Sequence, residues 1–339
     1  MAGIETRVFL GLSVVGVLAG CLAPPAPAAS EQPAAAATSA VAEPREPSPS
    51  AAPPHFSGQA ALARLEVLMG HSRSLGDPKR GDSIEALAEM LRDVGAEQIE
   101  RRPFRATDPA TGRTFDLVNL FGHLRPDAPR RFVVATHFDT RPWADEEADP
   151  EAHQTPVPGA NDGTSGVAVL LELLPMLVAA LPSDVGVTVI LFDGEELGHP
   201  GAGGYCMGSR SFAERVARER PAWFQNAELG IVLDMVGDRD LRLPIDPGSA
   251  AHHPELIDRL WAVAQRRGHT QFVPEHRAYS ILDDHEFLAR SGVPSVLLID
   301  KEYPPWHTRA DTIDQVSAQS LGAVGDTVLH TLLELAAEG

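Results

Sequence analysis

VTVILFDGEE, from Val187 to Glu196, is the stretch that decides the fold. Its first six residues are mainly β-branched or aromatic, which is typical of a short buried strand. Open α/β sheets bind ligands just beyond the carboxyl ends of their strands, and Glu195 and Glu196 lie there. Adjacent glutamates repel each other unless a cation lies between them, so one can bind a metal while the other moves protons. Alone, the pair is better explained as part of a solvated acidic loop or a helix start.

Further strands alternate with helices on both sides of this stretch. Ser83 is expected to cap the second helix, which ends at Gly95. Alternating strands and helices predict an α/β fold, a single three-layer domain whose twisted, mixed and largely parallel sheet is flanked by helices. The predicted helices cover residues 60–69, 84–94, 163–181, 254–267, 284–290 and 318–337, and the predicted strands cover residues 98–104, 117–124, 131–136, 186–192, 229–236 and 294–299.

The bulk composition excludes some classes of partner. The chain has 339 residues and a formal net charge of −19, which argues against nucleic acid, because phosphates need Lys and Arg to neutralise them. There is no polybasic cluster of the kind that binds anionic membranes. The acidity suits cationic groups such as the free amine of a peptide.

The first 55 residues have the composition of an export signal and a tether. Arg7, the apolar run from Val8 to Val17 and the small residues before Cys21 predict a signal peptide over residues 1–20. Leu18-Ala19-Gly20-Cys21 resembles a bacterial lipobox, which implies a lipidated Cys21 and an exported lipoprotein on the periplasmic or cell-surface face of a membrane. An ordinary signal peptide with an incidental cysteine is the alternative. Residues 21–55 are rich in Ala and Pro, which predicts a disordered tether, and residues 56–339 are expected to form the globular domain.

Histidines and carboxylates follow five of the strand-like segments. His137, Asp162, Asp234 and His307 accompany the glutamate pair, and Asp139 is spaced to orient His137 as an outer partner of a metal ligand. Each alone has a simpler explanation, such as a helix cap or a surface histidine. Together they favour one site, because carboxylates that converge without a cation repel each other. Mixed histidine and carboxylate ligands favour zinc.

These motifs resemble the zinc-dependent aminopeptidase superfamily and, within it, the glutaminyl cyclase branch (glutaminyl-peptide cyclotransferases), particularly the bacterial forms. The resemblance covers residues 59–335. It rests on the following segments, in order: HFDTRPWA at 137–144, GANDG at 159–163, DGEE at 193–196, LDMVG at 233–237, DDH at 283–285 and WHT at 306–308.

The resemblance implies roles for these residues. Asp162, Glu196 and His307 would bind one zinc ion, and Glu195 would be the general acid and base. Asp234 and Asp283 would form a hydrogen-bonded carboxylate pair beside Glu195. The remaining expected site residues are Trp306 as a wall of the pocket, Asp284 in the carboxylate segment, and His285 capping or orienting the aspartates before it.

The same resemblance leaves the activity open. Aminopeptidases of this superfamily use two zinc ions, whose ligands would be His137, Asp162, Glu196, Asp234 and His307. The segment 283–285 and Trp306 favour the cyclase, a monomer that would act on peptides or proteins with a free N-terminal Gln and touch a membrane only through its lipid anchor. A metallo-aminopeptidase is the first alternative and an inactive peptide-binding ectodomain the second.

Three departures from animal cyclases concern the pocket and its surroundings. His199-Pro200-Gly201 stands where those enzymes carry a tryptophan, Leu297 stands where they carry a histidine, and their disulfide is missing. Cys206 is expected to be a packed or partly exposed thiol. The acidic segment Trp143–His153 is expected to be a solvated loop, with a substrate-side lid as the alternative.

Overall fold

A computed structural model describes residues 55–338. Predictions for the signal peptide, Cys21 and the tether lie outside the described residues. Between His55 and Glu338, no helix is both long enough and apolar enough to cross a membrane.

A six-stranded mixed sheet lies at the centre of the domain. Its strands run in the spatial order β1-β2-β4-β3-β5-β8, with β1, β2 and β4 paired antiparallel and β4, β3, β5 and β8 paired parallel. Two further strands, β6 and β7, form a small parallel pair. The bounds are β1 Gln98–Thr107, β2 Thr114–Leu124, β3 Arg130–His137, β4 Val185–Phe192, β5 Ala227–Asp234, β6 Leu243–Ile245, β7 Phe272–His276 and β8 Ser295–Ile299.

Alternating side chains of the sheet are buried on its two faces. Every residue of β4 is buried, as expected of a central strand with helices on both sides. On one face, Val189 and Leu191 join the large core beneath the long helices; on the other, Ile190 and Phe192 pack in a second core that contains Phe212. Because successive side chains of a strand point to opposite faces of the sheet, β4 contributes to both cores. The sheet and the helices on its two faces form three layers.

The helices of the described residues form the outer layers. α1, α3 and α9 pack against one another, and α7 joins them through α9. α4 packs against α8 on the opposite face, where Phe212 and Leu288 lie in the second core. The bounds are α1 Gly58–Met69, α2 Arg80–Asp93, α3 Ser165–Ala180, α4 Met207–Glu219, α5 Ala222–Gln225, α6 Pro247–His252, α7 Pro254–Arg267, α8 Asp284–Ser291 and α9 Ala318–Ala337.

The strand order creates the crevice that holds the site. β4 pairs with one edge of β3 and β5 pairs with the other. The chain runs from β3 to β4 on one side and from β5 towards β8 on the other, so the loops after β3 and β5 leave in opposite directions. At such a switch point the loops after the parallel strands separate and leave room for a ligand. The structure confirms the predicted fold class.

The structure differs from the predicted elements at several points. Ser83 does not cap α2: it lies inside the helix, which begins at Arg80 after Lys79. Gly95 follows the end of α2 with φ 110°, as its predicted stop requires. α4, α6, β6 and β7 were not predicted. The two strands have only three and five residues, too few for a clear period.

Candidate metal centre and substrate pocket

The predicted metal ligands converge at the carboxyl edge of the sheet. His137 ends β3, Asp234 ends β5, and Glu196 follows β4. Asp162 precedes α3, and His307 lies after β8 with φ 55°. All five are buried, and they form two groups that share Asp162: one with Glu196 and His307, the other with His137 and Asp234. Within each group the ligand atoms lie within 4.8 Å of one another.

The distances within these groups fit a divalent cation. His137 Nε2 lies 3.1 Å from Asp162 Oδ1 and 3.1 Å from Asp234 Oδ1. His307 Nε2 lies 3.4 Å from Glu196 Oε2 and 3.9 Å from Asp162 Oδ2. Burial and the nearby Glu196 raise the pKa of Asp162 to about 8, so its ionised form lacks compensation. Buried carboxylates together with imidazoles are the donor set that zinc prefers.

Asp139 connects the histidine of β3 to the glutamate pair. Its carboxylate accepts hydrogen bonds from the backbone N–H groups of Glu195, at 3.2 Å, and Glu196, at 3.1 Å. One of its oxygens lies 3.7 Å from His137 Nδ1, whose hydrogen-bond partner, at 3.2 Å, is the Asp139 carbonyl. Asp139 therefore holds the turn after β4 in place, in addition to orienting the His137 ring as the sequence predicted.

Arg141 and Asp145 form a layer behind the metal ligands that was not predicted. Arg141 donates to Glu196 Oε2 at 3.1 Å and pairs with Asp145 at 2.5 Å. Asp145 Oδ1 in turn lies 3.5 Å from His307 Nδ1. Although burial favours their neutral forms, His307 beside Glu196 and Arg141 beside Asp145 hold the pKa of each carboxyl below its ordinary value. The start of the segment Trp143–His153 is thus part of the site, and its interpretation as a solvated loop is wrong there.

Asp311 and Asn161 fix the backbone of the loop that carries Asp162. The Asp311 carboxylate accepts from the N–H groups of Asn161 at 2.8 Å and Asp162 at 3.0 Å, and from the Tyr303 hydroxyl at 2.7 Å. The Asn161 side chain accepts from Gly237 N at 2.7 Å, which holds the turn after β5. Asp311 was missed, and the only signal for it is its position four residues after His307.

Glu195, Asp283 and Cys206 lie together beside the metal ligands. Withdrawal from water and the charge of Glu196 raise the pKa of Glu195 well above its ordinary value. Burial and the charge of Asp234 raise the pKa of Asp283 in the same way. The Cys206 thiol is buried and donates to Glu195 Oε1 at 3.2 Å, and burial raises its pKa.

The expected hydrogen bond between Asp234 and Asp283 stays a prediction, and burial together with the charge of Asp234 does raise the pKa of Asp283. Asp234 Oδ1 faces His137, and Asp283 caps α8 by accepting from the N–H of Asp284. His285 lies elsewhere than expected. Its Nε2 is 3.5 Å from a carboxylate oxygen of Asp246, and the Asp246 carboxylate also accepts a hydrogen bond from Ile281 N at 2.9 Å. The first turn of α8 directs the His285 ring away from the aspartates that precede it.

A pocket of about 370 Å³ opens onto these groups. Trp306 lies along its wall, as expected, and stacks on His307 with ring centroids 3.6 Å apart. Lys301 also faces the pocket, with Nζ 3.1 Å from the centre of the Trp306 ring. Tyr279 and Leu282 line the rim and are more than half exposed, at 58% and 52%. The pocket therefore has an acidic floor and an aromatic wall.

Residues 119–332 match the model of peptidase family M28. The chain belongs to this family. It is 29% identical over 268 residues to the glutaminyl-peptide cyclotransferase of Boiga irregularis, with 70% of each chain covered. The crystal structure of Fimbriiglobus ruber glutaminyl cyclase is similar at 31% identity and a TM-score of 0.75, over 86% of this chain and 99% of that one. A Zn-dependent exopeptidase from Parabacteroides distasonis ATCC 8503 is similar at 27% identity and a TM-score of 0.75, over 82% and 98%.

These similarities confirm that this M28 chain is an enzyme and that it is related to the glutaminyl cyclases within the zinc exopeptidase superfamily. Together with the ligand geometry, they support zinc as its metal.

Proposed function

We propose that the enzyme is a glutaminyl-peptide cyclotransferase, which converts an N-terminal Gln to pyroglutamate and releases ammonia. The observation that carries the proposal is that Glu195 and Asp283, two carboxyls of raised pKa, line the same pocket as the ligand group Asp162, Glu196 and His307. The glutaminyl cyclases among its relatives support it.

Asp162, Glu196 and His307 are the residues that would hold the zinc ion. The ion would supply a Lewis acid that polarises the γ-carboxamide of the substrate. Arg141 and Asp145 keep two of the three ligands, Glu196 and His307, in place from behind. Such outer partners maintain both the orientation and the basicity of metal ligands.

The chain's own groups bind and deprotonate the substrate amine. The acidic floor of the pocket attracts the N-terminal amine, and the wall formed by Trp306 confines the Gln side chain next to it. The α-amine and the γ-carbon belong to one residue, so confinement costs little further entropy. Glu195 accepts the amine proton as the new C–N bond forms and returns it to the leaving nitrogen, which departs as ammonia. A raised pKa suits both steps, because the group must accept and release a proton near neutral pH.

A zinc aminopeptidase is the second candidate. It is favoured by one observation, the second ligand group formed by His137, Asp162 and Asp234, which places residues for two metal ions at one edge of the sheet. Glu195 would then take a proton from water rather than from the substrate amine. The two activities share the same machinery and differ in the nucleophile.

The deciding experiment gives the zinc-loaded enzyme a Gln-initiated peptide and a Leu-initiated peptide and follows both by mass spectrometry. The cyclase predicts loss of ammonia from the first peptide while the second stays intact. Release of free leucine would instead establish the aminopeptidase. No reaction with either peptide would exclude both and favour a peptide-binding protein.

A further inference from the structure

A third cluster of metal-binding side chains lies beside the two that share Asp162. It consists of Glu195, Cys206 and Asp283, and their ligand atoms lie within 4.8 Å of one another. Cys206 Sγ is 3.2 Å from Glu195 Oε1. That separation is close to the spacing of two donors on one tetrahedral ion, whose bonds to oxygen and sulfur are about 2.0–2.3 Å long.

Three different elements hold these side chains in place. Glu195 follows β4, Cys206 precedes α4, and Asp283 caps α8. Cys206 has φ 59°, a left-handed conformation that is uncommon for residues other than glycine. Its N–H bonds to the carbonyl oxygen of Glu195 at 3.1 Å, which keeps the thiol against the carboxylate. The cluster is therefore built by the fold and does not depend on flexible surface side chains.

The carboxyls around the cluster are only partly balanced by protein cations, through the charges of His137 and Lys301. Asp284 is fully buried next to Asp283, and neither of its carboxylate oxygens has a hydrogen-bond partner. The Ser209 hydroxyl donates to the Cys206 carbonyl at 3.1 Å, and although it also interacts with Asp284, burial raises the pKa of Asp284 to about 7. None of the ion pairs found between residues 55 and 338 joins an Arg or Lys to Glu195, Asp283 or Asp284. Buried carboxyls in this state are neutralised by protonation or by a bound cation, and a metal ion displaces the protons when it binds.

We propose that Glu195, Cys206 and Asp283 form an inhibitory binding site for a thiophilic divalent cation of the Zn²⁺ or Cd²⁺ class. The thiol selects such ions over Mg²⁺ and Ca²⁺, which prefer oxygen ligands alone. Glu195 and Asp283 line the pocket, which gives the ion a path, and Cys206 lies behind them. On binding, the Cys206 thiol and the protonated carboxyls of Glu195 and Asp283 lose their protons to solvent, and the freed sulfur and oxygen lone pairs bind the ion.

Occupancy of this site removes Glu195 from proton transfer. This consequence rests on the proposed function, because that function assigns proton transfer to Glu195. The aminopeptidase reaction would use Glu195 in the same way. Excess zinc is therefore expected to inhibit the enzyme after the site at Asp162, Glu196 and His307 has been filled.

The binding test compares the wild type with Cys206→Ser, each carrying one equivalent of zinc, during titration with CdCl₂. Formation of a thiolate–cadmium bond produces an ultraviolet charge-transfer absorption, expected in the wild type and lost in the variant. Any cadmium absorption from Cys21 is the same in both proteins and cancels when the variant spectrum is subtracted from that of the wild type. Equal absorption in the two proteins would overturn the proposal, and circular dichroism melting checks that the variant is folded.

The activity test adds excess ZnCl₂ to both proteins, with whichever peptide the wild type turns over. Cys206→Ser should need at least about tenfold more zinc for half inhibition. Removal of an outer partner of a metal ligand already lowers metal affinity about tenfold, and Cys206 would be a direct ligand. Equal inhibition would refute the regulatory part. The cadmium absorption requires no turnover, so failure of the proposed function and failure of this inference are distinguishable.

Discussion

Glu195 and Glu196 are neighbours in the chain with opposite pKa shifts. Burial favours the neutral form of both, but His307 and Arg141 oppose it at Glu196, whose pKa lies below the ordinary value. Glu195 faces Glu196, Asp283 and Asp284, and its pKa lies well above the ordinary value. Because one residue of separation turns the two side chains toward different surroundings, the pair can divide metal binding from proton transfer.

This division predicts different outcomes for two isosteric variants. Glu195→Gln should retain zinc and lose activity by about 10²–10⁴-fold, the usual contribution of a general acid or base. Glu196→Gln should lose zinc, because it removes a charged ligand. Zinc content by atomic emission and steady-state kinetics measure the two effects. The reverse pattern, with zinc lost from Glu195→Gln alone, would contradict the assignment.

The long helices illustrate how packing is set at the scale of the element. α9 places Gly325 against the ring of Phe56, and a Cβ built at Gly325 would lie only 2.2 Å from that ring. A Cβ at Gly322 on the same helix would meet its nearest atom at 3.4 Å, an ordinary contact. The sequence pattern of α9 does not distinguish these two glycines, because the difference arises from the segment that packs on them.

Gly325→Ala and Gly322→Ala should therefore change stability in opposite directions. Gly325→Ala should lower the free energy of unfolding by about 1–3 kcal/mol, the usual cost of overpacking a core. Gly322→Ala should leave it unchanged or raise it by up to about 1 kcal/mol, through helix propensity. Urea denaturation followed by circular dichroism measures both changes. Equal effects would show that Phe56 is not packed on α9 as described.

Asp326 links α9 to the end of α7. Its carboxylate pairs with Arg267 and lies 2.7 Å from His269 Nε2. Although burial opposes its ionisation, His269 and Arg267 hold the pKa of Asp326 below its ordinary value. A carboxyl whose pKa is lower in the folded state stabilises the fold above its unfolded pKa of about 3.9 and loses that contribution as pH falls.

Asp326→Asn should therefore destabilise the enzyme by roughly 1–3 kcal/mol at pH 7, the range for hydrogen bonds to charged groups. The difference from the wild type should persist at pH 5 and shrink as pH falls below about 4, where the wild-type carboxyl also becomes protonated. Urea denaturation at pH 7, 5 and 3 measures it. A difference that stays constant over this range would show that the charge of Asp326 is unimportant.

At the scale of the whole molecule, one domain contains both the core and the site. The buried hydrophobic residues run from Phe56 to Ala336, and the site draws on residues from His137 to Asp311. Within residues 55–338 the regular elements begin at Gly58. The core described here is built from residues inside that range.

A chain of residues 55–339 should consequently fold independently. We expect one cooperative thermal transition with a melting temperature within about 2 °C of that of the longer protein, a shift that corresponds to about 1 kcal/mol in a domain of this size. Differential scanning calorimetry of both proteins makes the comparison. A melting temperature lowered by several degrees would show that residues before His55 stabilise the domain.

The fold and most of the site were predictable because they depend on local patterns. The short apolar runs of β3, β4 and β5 mark buried strands, and a parallel sheet brings their carboxyl ends to one edge. His137, Glu196 and Asp234 could therefore be grouped before any distance was known. The layer behind them could not, since Arg141 and Asp311 have no periodic signal and gain their roles from partners far away in the chain.

The sequence by itself determined which elements form and which residues meet at the sheet edge, because the period of a strand and the chemistry of metal ligands are written in short segments. Tertiary structure alone decided the protonation of those residues and their outer partners. The orientation of His285 toward Asp246 and the hydrogen bond of Cys206 to Glu195 both depend on how separate elements pack. Burial and charge act through space, so short segments do not encode them.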